Sequence, residues 1–127
     1  MASIESTGLC ASDFGVLEAL LHKGTLPVNM LGRKVLLTSG SITTAIDRLV
    51  TRGFVARKDD PDDRRVRLVE LTRKGRQLIE PAFAQHAADL DDVVSVLTRD
   101  ERATLVALLR RLGKTAEESL SDVDDEP

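Results

Sequence analysis

The sequence predicts a mainly α-helical fold carrying one small β-hairpin, and three observations point to it. Apolar residues recur at helical spacing along most of the 127 residues. Once only, after Gly53, the period changes to two short alternating runs around the charged stretch KDDPDDRR. Residues suited to capping and stopping helices stand where the helical runs begin and end.

Taken in order, residues 1–8 are polar and short, and are expected to fray. Ser12 is expected to cap a first helix in which Phe14, Leu17 and Leu21 share a face, with Gly24 as its stop. Pro27 lies just before or at the first turn of a second helix, whose buried side is Met30, Leu31, Val35 and Leu36. A tight turn, Leu37-Thr38-Ser39, leads into a third. There Ile42, Ala45, Ile46 and Leu49 form an apolar face, Thr38 or Ser39 the cap, and Gly53 the end. Phe54–Arg57 and Val66–Leu71 read as the two strands of a ribbon, which needs helices beneath it to be stable. Thr72 caps a long helix despite Gly75 and Pro81, with Ile79, Phe83, Ala87, Leu90, Val94 and Leu97 at alternating steps of four and three. Thr98 and Glu101 make a capping box for a last helix with Leu105, Leu108, Leu109 and Leu112 on one face. Residues 117–127 are an acidic tail expected to be disordered.

One domain over 1–127 is expected, divided into 9–76 and a helical part at 77–116. The chain is 42% hydrophobic, yet no run reaches the roughly 18 apolar residues of a membrane span. Residues 1–11 lack the basic start and apolar centre of a signal peptide, and a single Cys forms no internal disulfide, so the expected location is the cytoplasm. Trp and Tyr are absent, which argues against a binder that stacks single-stranded bases.

The net charge of −3 conceals a segregation. Val28–Arg76 holds 12 Lys+Arg against 6 Asp+Glu, whereas residues 77–127 hold 5 against 12 and residues 1–27 hold 1 against 3. Positive charge is thus concentrated in the stretch containing the third helix and the hairpin. Opposite its apolar face that helix carries Ser39, Ser41, Thr43, Thr44, Asp47 and Arg48, small enough to enter a major groove with donors and acceptors near the base edges. At the hairpin tip, Asp63 can fix the direction of Arg65 for insertion into a narrow minor groove. The plain alternative is a solvated turn with a weak ion pair. Arg64 either contacts phosphate or faces water. The reading is a DNA-recognition helix followed by a wing.

The leucine-rich seams of the last two helices exceed what a small winged domain can cover. They nominate Ile79, Phe83, Leu90, Val94, Leu97, Leu105, Leu108, Leu109 and Leu112 as the interface of a homodimer reading a palindromic or pseudo-palindromic duplex. His22 and His86 read as helix-end and surface residues, and with Cys10 they lack metal-site spacing, so no metal or cofactor is expected. Cys10, near a helix start, is either a redox sensor or a partly buried bystander. No catalytic signature is present, and no enzyme activity is expected.

With Leu31, SGSITTAIDRLVTRGFVAR, DPDDRR and VRLVELTRKGRQL in order, the chain resembles the MarR family of bacterial transcription regulators over about residues 9–112. The resemblance implies a winged helix-turn-helix in a two-fold dimer at the bacterial nucleoid. Such a dimer is usually a repressor, released by a phenolic or other small ligand or by oxidation. By the same resemblance Ser39, Ser41, Thr43, Thr44 and Arg48 face the major groove, and Arg65, braced by Asp63, enters the minor groove. LLTSGSIT with DDRRV is similar to a branch associated with quinone and hydroquinone response. The family has a long helix before the equivalent of Leu9, where this sequence has eight residues. The apolar area of the two leucine seams makes a dimer through the C-terminal half the expectation despite that short N-terminus. Two readings follow: a dimeric DNA-binding repressor, and a protein-interaction module that uses the winged helix only as a scaffold.

Overall fold

A computed structural model describes residues 7–125 of the chain, with side chains to residue 119. Five helices and three strands follow in the order α1 (Ala11–Lys23), β1 (Leu26–Pro27), α2 (Val28–Lys34), α3 (Ser39–Thr51), β2 (Val55–Asp59), β3 (Arg67–Leu71), α4 (Arg73–Val94) and α5 (Arg99–Asp125). The sheet is antiparallel with β3 in the centre. It pairs Val55 with Leu71 through Asp59 with Arg67 on one side, and Leu26 with Val69 on the other. The expected two-stranded ribbon is therefore corrected to three strands. β1 is two residues long, too short to show a period; Pro27, extended at φ −62° and ψ 146° just before α2, lies with Leu26 alongside Leu68 and Val69 of β3.

The core lies beneath this sheet, where Phe14, Val16, Leu17 and Leu20 of α1 meet Leu31 of α2 and Ile42, Ala45, Ile46 and Leu49 of α3. The apolar face assigned to α3 is buried residue for residue. Its ends are chemically explicit. Thr38 Oγ1 accepts from Ser41 N at 3.3 Å. Gly53, at φ 79°, lets its own N–H reach Val50 O while Phe54 N–H reaches Leu49 O, closing the last turn.

Three local expectations are corrected. Cys10, not Ser12, is the residue before α1; Ser12 lies in the first turn with its hydroxyl 3.3 Å from the Cys10 thiol. Cys10 is exposed rather than partly buried. Met30 and Leu36 face outward, because α2 is only seven residues long and Leu36 takes a left-handed φ of 58° in the turn after it. Of residues 1–8, Thr7 and Gly8 form a turn and 1–6 lie outside the described residues.

α4 starts flush against the sheet. Thr72 Oγ1 accepts from Gly75 N at 3.0 Å and donates to Gly53 O at 2.6 Å, while Thr72 N–H donates to Phe54 O. This seat requires Gly75, since a Cβ there would stand 2.0 Å from Phe54 O. Ile79 is consequently fully buried in the chain's own core, and Phe83 packs edge-on against His22. The expected division after residue 76 thus falls inside a continuous helix. His86 is also corrected: it is buried, edge-on to Phe14, rather than on the surface.

Past His86 the character changes. Leu90, Val93 and Val96 stand exposed, as do Val106, Leu108, Leu109 and Leu112 of α5. Val94, Leu97 and Leu105 are half-covered. The capping box forms as read, with Thr98 N–H donating to Glu101 and Glu101 N–H donating to Thr98. Of the acidic stretch 117–127, residues 117–125 continue α5 and 126–127 lie outside the described residues. Lys34, at the end of α2, pairs with Glu117 of α5 at 3.2 Å.

Candidate nucleic-acid interface

α3 stands at the surface with Ser39, Ser41, Thr43 and Thr44 all exposed. Their hydroxyls are not equivalent. Thr43 Oγ1 donates to Ser39 O at 2.9 Å and Thr44 Oγ1 to Gly40 O at 3.0 Å. With their protons engaged, both threonines present a methyl group and oxygen lone pairs outward. That combination suits a thymine methyl or an amino group of cytosine or adenine. Ser41 Oγ accepts from Thr38 Oγ1, so its own proton points away and can be donated.

Two hollows flank the helix. On the wing side Ser39 and Thr43 share a groove of about 580 Å³ with Arg33, Arg57, Arg65 and Arg67, over a floor that includes Ile42, Ile46 and Val66. On the other side Ser41, Thr44 and Arg48 line a shallower hollow with Ser12 and Thr38.

Arg48 sits differently from the expectation. Its Nη2 and Nε donate to the two carboxylate oxygens of Asp13 at 2.7 and 3.1 Å. The Asp13 side chain is 5% exposed, against 47% for Arg48. The pair raises the Arg48 guanidinium above its ordinary value, through the hydrogen bonds first and the charge second. Arg48 thus ties α3 to α1 and offers the hollow only the remainder of its guanidinium. Sequence reasoning missed Asp13, because an acid in a helix's first turn already has a reason to be there in the helix dipole.

At the wing tip, Asp63 Oδ1 accepts from the backbone N–H of Arg65 at 3.0 Å and from its Nε at 3.2 Å. These contacts, the backbone one foremost, hold the Asp63 carboxyl below its ordinary range. A second turn bond, Val66 N–H to Asp63 O, closes the tip. The Arg65 side chain is 91% exposed and directed by a fixed carboxylate, while Arg64 is simply exposed beside it. Further pairs appear that spacing alone did not reveal: Arg57 with Asp47 of α3, and Arg67 with Asp59 across the wing at 2.7 Å.

An exposed helix with a small polar face, seated by a turn on a helical core and followed by a basic wing, defines a winged helix-turn-helix DNA-binding regulator. Comparison with known proteins narrows the class. A sequence model described as MarR family matches residues 9–66. Over 115 residues the chain is 41% identical to the HTH-type transcriptional regulator MhqR of Bacillus subtilis, covering 91% of this chain and 79% of that one. Among solved structures it is similar to a point mutant of MarR from E. coli complexed with operator DNA, with a TM-score of 0.75, 30% identity and coverage of 87% and 80%. It is also similar to BpsR of Bordetella bronchiseptica, whose DNA binding is described as regulated by 6-hydroxynicotinic acid. There the TM-score is 0.71, with 32% identity and coverage of 82% and 79%. The chain belongs to the MarR family and is a DNA-binding transcriptional regulator. The alternative of a mere interaction scaffold gains no support. Among the described residues no helix is long and apolar enough to cross a membrane.

Proposed function

We propose that this chain is a cytoplasmic, nucleoid-associated repressor that binds a palindromic duplex as a two-fold dimer. The observation carrying the DNA contact is the Asp63–Arg65 bracket, which holds an otherwise exposed guanidinium in one direction at the wing tip. Ser39, Ser41, Thr43 and Thr44 read base edges in the major groove. Arg65 enters the minor groove, and Arg64 with the outer edge of Arg48 supplements them on phosphate or base. A duplex selected from a randomised library tests this. Arg65→Ala should weaken binding roughly tenfold to a hundredfold without loss of helicity, the range expected for one specific contact. Unchanged affinity removes Arg65 from the interface.

Dimerisation uses what the core leaves uncovered. Leu90, Leu108, Leu109 and Leu112 are the exposed residues of the two seams, with Val94, Leu97 and Leu105 half-covered beside them. Burying a leucine is worth roughly 1.5–3 kcal/mol, so several together offset the cost of association. Ile79 and Phe83 contribute only by stiffening α4. The releasing signal is a small hydroxylated aromatic or quinone-like molecule, which the relationship to BpsR supports, or oxidation at the exposed Cys10.

A further inference from the structure

We propose that Asp47 and Asp59 are built-in competitors of DNA phosphate, holding Arg57 and Arg67 in check so that the wing groove does not grip duplex indiscriminately. The inference rests on the assignment of this face to DNA. Seven ion pairs join described residues, and in each the cation comes from the basic segment between Val28 and Arg76. In two of them the acid has a plain structural role. Asp13 is buried, and Asp63 shapes a turn. Asp47 and Asp59 lie at the surface instead: Asp47 reaches from α3 to Arg57 of β2, and Asp59 faces Arg67 directly across the β2–β3 ladder. The two Asp side chains are 61% and 69% exposed, and exposed pairs add little to stability. Asp47 stands on the helix that must approach a polyanion, where a lone carboxylate is repelled. Both carboxylates nonetheless reach guanidiniums that line the groove between α3 and the wing.

The physical consequence follows from counterion release. A paired Arg and Asp are together neutral and displace almost no cation from DNA, so only the exchange of carboxylate for phosphate makes the Arg count. Removing the carboxylate leaves one net positive charge in the groove. Each added phosphate contact steepens the salt dependence by about 0.9 in log K against log salt, or roughly eightfold in affinity between 1 M and 0.1 M salt. The brake limits occupancy of the many competing non-operator sites in a genome, which is where a purely electrostatic grip is harmful.

The test titrates the full chain with a random-sequence duplex of roughly 30 base pairs, and with a library-selected duplex, over a salt series. Asp47→Asn should raise affinity for the random duplex by up to roughly eightfold at low salt and steepen its slope by about 0.9. Asp59→Asn should act in the same direction through Arg67. Asp47→Asn combined with Arg57→Gln should return affinity and slope to those of the starting protein. Circular dichroism on each variant separates misfolding from altered binding, and the two single variants provide independent readings. An unchanged slope in both single variants overturns the proposal, as does a gain that survives Arg57→Gln. Loss of affinity confined to the selected duplex would make Asp47 a base reader instead. A starting protein that binds no duplex at all would sink the assignment of this face to DNA, a separate failure.

Discussion

Adding one methyl group at Gly75 should unseat α4 from the sheet. A Cβ at that position would lie 2.0 Å from Phe54 O and 2.9 Å from its carbonyl carbon, where backbone cannot swing aside like a side-chain tip. The start of the helix must retreat by more than an ångström. That retreat stretches two hydrogen bonds, Thr72 N–H to Phe54 O at 3.1 Å and Thr72 Oγ1 to Gly53 O at 2.6 Å. Each is worth about 0.5–1.5 kcal/mol net, and overpacking adds about 1–3 kcal/mol. The better helix propensity of Ala returns up to about 1 kcal/mol. The balance is a loss of about 3 kcal/mol, or about 10 °C in Tm for a chain of this size. Thermal and urea unfolding of Gly75→Ala at fixed protein concentration measures it, since association also shifts apparent stability. A Tm equal to or above that of the unmutated chain would refute the reasoning. It would mean that helix propensity outweighs the contact and that α4 has room to move.

Leu36→Asn should raise stability by about 0.5–1 kcal/mol, because Leu36 is half-exposed at a left-handed φ that Asn tolerates better; a lower Tm would contradict that. The fold holds Asp63 below the ordinary carboxylate range, so its contribution to wing order is complete at neutral pH and disappears only as pH falls through that depressed value. NMR shifts of the Arg65 amide should therefore be flat between about pH 8 and 5 and move only below about 4, and movement near neutrality would reject the bracket. Replacing Leu108 and Leu112 together with Glu should give monomers that keep the wing but bind DNA weakly, and sedimentation of mutated and unmutated chains decides it. A starting protein that sediments as a monomer at micromolar concentration refutes the dimer.

Much of the geometry of α3 and the wing was readable because its signals are local. The cap at Thr38, the buried stripe Ile42, Ala45, Ile46 and Leu49, the stop at Gly53 and the Asp63–Arg65 bracket each lie within a few residues of chain. Backbone geometry and side-chain reach then leave few alternatives over so short a span. The expected buried positions Met30 and Leu36 failed because α2 ends early, and an apolar residue in a left-handed turn follows the turn rather than the period.

What the sequence determined on its own is the helical order, the wing and the polar face of α3. The tertiary structure alone decided which charges remain available to DNA and which apolar residues remain free for a partner. Arg48 reads as one more groove-facing cation until α1 brings Asp13 to it from 35 positions away. Ile79 continues the same heptad as Leu90, yet the seat of Gly75 on Phe54 turns one into core and leaves the other exposed. His86, polar and lone in the sequence, is buried edge-on against Phe14 of α1. The reason is the same in each case. A periodic pattern states that a face is apolar or charged, but what that face meets depends on how distant segments are brought together, and the pairing energy exists only once they are.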